Sequence, residues 1–177
     1  MRALDKGGYK DKAFFVGNNP DIIYNGFQGM FRWTLPDILT TGKSPRAYCE
    51  ENLNEYTKEC VKERVGPNGL AIAMVYPGFD DAKILNWGGG QHRKINIDRG
   101  VFYRGSWEAA ISSGLDWVLI ATFNDWNEGT NIEPDYSKGY ALAEITREYA
   151  EKFTGKTLPK GEVERITNEY LKAKASS

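Results

Sequence analysis

Phe123-Asn124-Asp125-Trp126-Asn127-Glu128-Gly129-Thr130-Asn131-Ile132-Glu133-Pro134 follows directly on Asp116-Trp117-Val118-Leu119-Ile120-Ala121-Thr122, the most strand-like run in the chain. Three carboxylates, two large rings and three asparagines crowd into those twelve residues. An apolar strand that stops abruptly in acids and aromatics is how an α/β protein presents a reactive site at a strand's C-terminal end. The reading of the whole chain turns on this stretch.

Working back toward the N-terminus, Leu70-Ala71-Ile72-Ala73-Met74-Val75-Tyr76 is a second charge-free apolar run, of the kind buried on both faces in a parallel sheet. It too ends in acid and aromatic residues, Pro77-Gly78-Phe79-Asp80-Asp81. A helix is expected from Pro45 to Arg64, with Ser44 as N-cap, Pro45 in the first turn and Gly66-Pro67-Asn68-Gly69 as stop. Ala13–Gly17 reads as a short strand and Ile22-Ile23-Tyr24 as another strand end, either neighbours or one broken strand. Ala82–Gly100 reads as a long loop, 102–113 as a helix stopped by Gly114, and 138–153 as a helix with Leu142, Ile145, Tyr149 and Phe153 on one face. A short amphipathic stretch carrying Val163, Ile166 and Tyr170 closes the chain. The result is a βα series with parallel strands, too short for a closed eight-stranded barrel. It fits either an open sheet or the C-terminal half of a barrel.

Composition narrows the function classes. A formal charge of −1 over 177 residues gives no electrostatic case for a nucleic-acid or anionic-membrane partner. No apolar run approaches the roughly 20 residues needed to span a bilayer. Met1–Gly8 lacks the apolar core of a signal peptide, so a cytoplasmic location is the default expectation. Cys49 and Cys60 share a face of the expected helix about 16 Å apart along its axis, too far to bridge. His92 is the only histidine, so histidine metal sites and imidazole triads have little support, and neither metal nor cofactor is expected.

Asp125 and Glu128 stand three apart, which in a helical turn brings their Cβ atoms within roughly 5–6 Å. Two carboxylates at that separation can divide the acid and base roles of glycoside hydrolysis, repulsion and nearby rings raising one pKa. Phe79, Trp87, Phe123 and Trp126 could supply flat walls for sugar rings, and Asn124, Asn127 and Asn131 amides for hydroxyls. The simpler reading makes the same carboxylates helix caps, Trp126 core, and Arg93 and His92 solvated loop residues.

The stretch Phe123–Pro134 resembles the Asn-Glu-Trp-x-Glu-Gly-Thr-x-Ile-Glu signature of glycoside hydrolase family 99 and of family 99-like proteins. Ile22-Ile23-Tyr24-Asn25 is similar to a family strand end, Pro77–Asp81 to a Pro-Gly-Tyr loop, and Phe102–Ala110 to the helix before the last strand. These blocks keep family order from Ile22 to Phe153. The resemblance implies the C-terminal portion of a (β/α)8 TIM barrel with three to four βα units, residues 1–156, followed by a helical tail, 157–177. It implies a metal-free, retaining, endo-acting enzyme on mannose-containing oligosaccharide or polysaccharide, working through attack by the sugar's own 2-hydroxyl. Asp125 stands where a family glutamate deprotonates that hydroxyl, and Glu128 where the general acid/base sits. Tyr24, Trp87, Arg93, Asn124 and Trp126 are the expected substrate-facing residues. Aspartate at 125 is one methylene short, setting the base back by about 1 Å, a displacement that can cost on the order of a hundredfold in rate. A partner supplying the N-terminal barrel half is implied as well. Two alternatives stand beside this: a non-catalytic carbohydrate-binding fragment, and a glycosyltransferase-like protein of polysaccharide biosynthesis.

Overall fold

The computed structural model describes residues 6, 8, 12–23, 26–84, 92–97, 100–157, 159 and 161–176. Strand β1 (Val16–Gly17) leads into a short helix, α1 (Pro20–Ile23), and then β2 (Gly29–Met30). After a 3-10 turn at Pro36–Thr40 comes one long helical rod: α2 (Pro45–Cys49), a π-helical stretch (Glu50–Glu55) and α3 (Tyr56–Arg64). Next come β3 (Leu70–Ala71), β4 (Ala73–Val75), β5 (Phe79–Asp80), β6 (Lys94–Ile95), α4 (Val101–Ser112), β7 (Val118–Ile120), α5 (Ala141–Thr154) and α6 (Glu162–Ala175).

Strands β1 to β4 and β7 pair in parallel and in chain order. β1 pairs with β2, β2 with β3, and β4, which continues β3 after Ile72, pairs with β7. Ala73, Met74 and Val75 are fully buried, as the unbroken apolar run predicts. Ala73 and Val75 lie beside Val118 and Ile120 and pack on Tyr103 and Trp107 of α4 and Leu142, Ile145 and Tyr149 of α5. Met74 belongs to a second cluster with Tyr48, Cys49 and Leu53 of the long rod. Trp107 and Tyr149 stack at 6.0 Å, a ring pair worth about 1 kcal/mol beyond its burial. Gly105 lets α4 close on α2, since a Cβ there would lie 2.8 Å from the Pro45 Cβ. Among the described residues β1 and β7 each have a strand neighbour on one side only.

The rod begins where the sequence places it: the Ser44 hydroxyl accepts the Ala47 amide at 3.3 Å, with Pro45 at the first position. Two expectations fail. Ile22 and Ile23 are not part of a strand end, Tyr24 lying outside the described residues; Pro20–Ile23 is helical because the Asn19 side chain accepts the Asp21 amide at 2.9 Å and proline fits the first helical turn. The span 82–100 is not a plain loop either. Lys94–Ile95 returns to pair antiparallel with Phe79–Asp80, burying Phe79 and Ile95 on one face and joining Asp80 to Lys94 on the other.

Candidate active site

β7 ends at a loop whose neck is tied shut. The Thr122 amide donates to the Thr130 carbonyl at 2.9 Å, Ile132 to Thr122 at 3.0 Å and Glu133 to Phe123 at 2.8 Å. The Thr122 and Thr130 hydroxyls meet at 3.0 Å, and the Ala121–Thr122 peptide is cis. Within this frame Asp125 organises the turn: its amide donates to Thr122 Oγ1 at 2.9 Å, and its Oδ1 accepts the amides of Asn127 at 3.1 Å and Glu128 at 2.9 Å. Asp125 therefore does what a capping residue does, and in doing so holds its charge close to Glu128.

Glu128 is 7% exposed, and its Oε2 has no hydrogen-bond partner. Burial and the neighbouring Asp125 charge push its pKa above the ordinary glutamate value; a hydrogen bond with Trp33 and the Arg93 charge pull the other way and lose. A buried carboxyl that favours its proton and keeps one oxygen free is suited to proton donation.

The β5–β6 hairpin forms the adjoining wall. The Asp80 amide donates to the Glu128 carbonyl at 2.7 Å, and Gly129 (φ 62°) lies so close that a Cβ would meet the Asp80 Cβ at 3.0 Å. Buried Asp81 is clasped by Arg93 through Nε at 2.8 Å and the backbone amide at 2.7 Å. Burial works to raise the Asp81 pKa, but the Arg93 hydrogen bonds outweigh it and the net shift is downward. The Arg93 guanidinium also lies over the Phe79 ring, 5.3 Å from its centroid. Asp80 bonds His92 at 2.8 Å and Lys94 at 2.9 Å; against the upward pull of burial these bring its pKa down to about 2.

The structure thus brings Asp125, Glu128, Asn124 and Arg93 into one neighbourhood of loop and hairpin. Asn124 is exposed on the loop. Trp126 is exposed on the loop; its Nε1 donates to Glu133 at 2.6 Å, and the Lys138 and Lys174 ammonium groups lie 5.3 and 5.7 Å from its ring centroid. Tyr24 and Trp87 lie outside the described residues. Sequence reasoning missed three participants: Trp33 beside Glu128, Asp81 beneath Arg93, and Glu133 beneath Trp126. For Asp81 a signal existed, the acidic pair Asp80-Asp81 facing the basic run His92-Arg93-Lys94. Among the described residues no group of three histidine, cysteine or carboxylate side chains is placed to hold a metal, and no helix is long and apolar enough to cross a membrane.

The model of glycosyl hydrolase family 99 matches residues 12–154. Glycoprotein endo-alpha-1,2-mannosidase of Rattus norvegicus is 29% identical over 148 residues, covering 76% of this chain and 30% of that protein. A glycoprotein endo-alpha-1,2-mannosidase-like protein of Homo sapiens is 29% identical over 152 residues, covering 77% and 31%. The solved GH99 endo-alpha-mannosidase of Bacteroides thetaiotaomicron superposes with a TM-score of 0.58 at 26% identity, covering 80% of this chain and 44% of that one. Its complex with BIS-TRIS-propane gives 0.59, with 47% of that chain covered. The chain thus spans about 30% of the length of the curated relatives it matches.

Proposed function

The chain belongs to glycosyl hydrolase family 99, and on that premise we propose that it carries the acid/base site of a retaining endo-glycosidase acting on mannose-containing glycan. Glu128 gives its proton to the leaving glycosidic oxygen as the bond to C1 breaks. Asp125 takes the proton of the 2-hydroxyl as that oxygen bonds to C1, forming an anhydro-sugar. Water then attacks C1, giving its proton to Glu128, as the bond between C1 and the 2-oxygen breaks and Asp125 returns its proton to that oxygen. Arg93 and Asn124 face the substrate, together with Tyr24 and Trp87 from the sequence pattern. The observation that carries the reading is the buried Glu128 carboxyl, its pKa raised and one oxygen unclaimed, three residues beyond Asp125.

Parallel strands that follow chain order, with helices between them, support an arc of a (β/α)8 barrel in residues 1–156, the tail 157–177 packing outside. A doubly wound sheet would reverse its strand order at a switch point. The remainder of the barrel would then come from a further polypeptide segment. A second reading, glycan binding without turnover, is favoured by one observation: Asp125 Oδ1 accepts the amides of Asn127 and Glu128, so this carboxylate already serves as the cap of its own turn. Hydrolysis of an α-mannoside by the chain supplied with the remainder of the barrel separates the two. Turnover that Glu128→Gln abolishes supports the enzyme; full activity in Glu128→Gln overturns the assignment, and binding without turnover favours the second reading.

A further inference from the structure

Helix α6 lies beyond the family-matched residues, yet it reaches the loop that carries Asp125 and Glu128. Its grip centres on Glu133, a carboxylate only 6% exposed. Glu133 accepts hydrogen bonds from Trp126 Nε1 at 2.6 Å, from the Tyr170 hydroxyl, and from Lys174 Nζ at 3.2 Å. Two of these donors come from α6 and the third from the loop, so one buried acid joins them. A second tie follows, from the Tyr136 hydroxyl to the Leu171 carbonyl at 3.0 Å.

Apolar packing does not fix this docking. A cavity of about 410 Å³ lies between α5, α6 and the loop, lined by Phe123, Pro134, Val163, Ile166 and Tyr170. Thr167 is the buried side chain of α6 among the described residues and Ile166 is 52% exposed, so few interlocking side chains hold the helix in register. Charge-assisted hydrogen bonds to a buried carboxylate are directional and stronger than neutral ones, so the Glu133 junction sets the register.

We propose that α6 is a positioning element for the active-site loop: Tyr170 and Lys174 hold Glu133, Glu133 holds the Trp126 indole, and Trp126 fixes the turn that sets Asp125 against Glu128. The roles of Asp125 and Glu128 rest on the function proposed above; the mechanical coupling does not. Trp126 is then a pin rather than a sugar platform. Its N–H is committed and its ring flanked by two ammonium groups, which a stacking sugar would have to displace.

The test compares the full chain with its Tyr170→Phe, Lys174→Met and Trp126→Phe variants by amide hydrogen exchange and tryptophan emission. Tyr170→Phe is expected to speed exchange of residues 123–133 by about tenfold, the loss of one hydrogen bond to a charged acceptor, while β4 exchange stays unchanged. Lys174→Met, at a half-exposed position that folding tolerates, gives about threefold in the same amides. Trp126 emission, isolated by subtracting matching Trp126→Phe chains, shifts in both variants. Unchanged exchange at 123–133 overturns the proposal, as does a loss of protection shared equally with β4. Both readouts need no turnover, so a chain without glycosidase activity counts against the proposed function alone. With α-mannoside turnover in hand, kcat falls in Tyr170→Phe while KM holds, because the α6 ties described above run to Glu133 and Tyr136 and not to the proposed substrate-facing residues.

Discussion

The Asp80 amide donates to the Glu128 carbonyl at 2.7 Å, so the hairpin and the loop at the end of β7 form one wall. Gly129 sits at the crossing with φ at 62°. Gly129→Ala adds a Cβ 3.0 Å from that of Asp80 and holds a non-glycine residue in the left-handed region. The expected loss is about 2 kcal/mol, conformational cost and collision together, read as a lower midpoint in urea denaturation.

Glu128 titrates above the usual glutamate value through burial and the Asp125 charge. Removing that charge in Asp125→Asn lowers the Glu128 pKa, measured by carbon-13 NMR of labelled glutamate. The sign for stability follows from the raised folded-state value. The contribution is full below the unfolded pKa and is lost as pH rises through the folded one. Activity that needs Glu128 protonated falls over the same limb in the parent chain; Asp125→Asn also removes the proposed base, so its effect on Glu128 is read by NMR and not by rate.

Arg93→Leu leaves the Asp81 carboxylate buried without its guanidinium. Stranding a buried charge costs on the order of 3 kcal/mol, visible as reduced thermal and urea stability at neutral pH. In the parent chain the Asp81 contribution runs the other way from that of Glu128. Its folded pKa is depressed, so the stabilisation stands above the unfolded value and disappears as pH falls through the folded one.

Cys49 is fully buried, and burial pushes its thiol up to about 12. Cys60 is buried beside Met30 and Val61. Neither thiol is expected to react with Ellman's reagent at pH 8 in the native chain. Both react once guanidinium opens the core.

The elements legible in the sequence were those whose cause is local. Ser44 and Pro45 start the long rod, and the charge-free run Leu70–Tyr76 announces a strand covered on both faces. What escaped depended on partners distant along the chain. The hairpin exists because Asp80 and Asp81 meet Lys94 and Arg93 across an intervening segment, and no local periodicity records that meeting. Ile22 and Ile23 look like a strand until the Asn19 side chain captures the Asp21 amide and turns the backbone. In the loop, the spacing of Asp125 and Glu128 is plain, but the capping hydrogen bonds that orient Asp125 are not. Trp126 reads as a platform from its type; the Glu133 carboxylate that holds its N–H is seven residues on, and the groups that hold Glu133 are on another helix.

The unmatched side of β7 has one more consequence. Its outward backbone groups accept any strand that fits, and only one strand can lie there at a time. On the barrel reading proposed above, a strand from the remainder of the barrel would take that row of amides, and any other strand that reached it would have to be displaced.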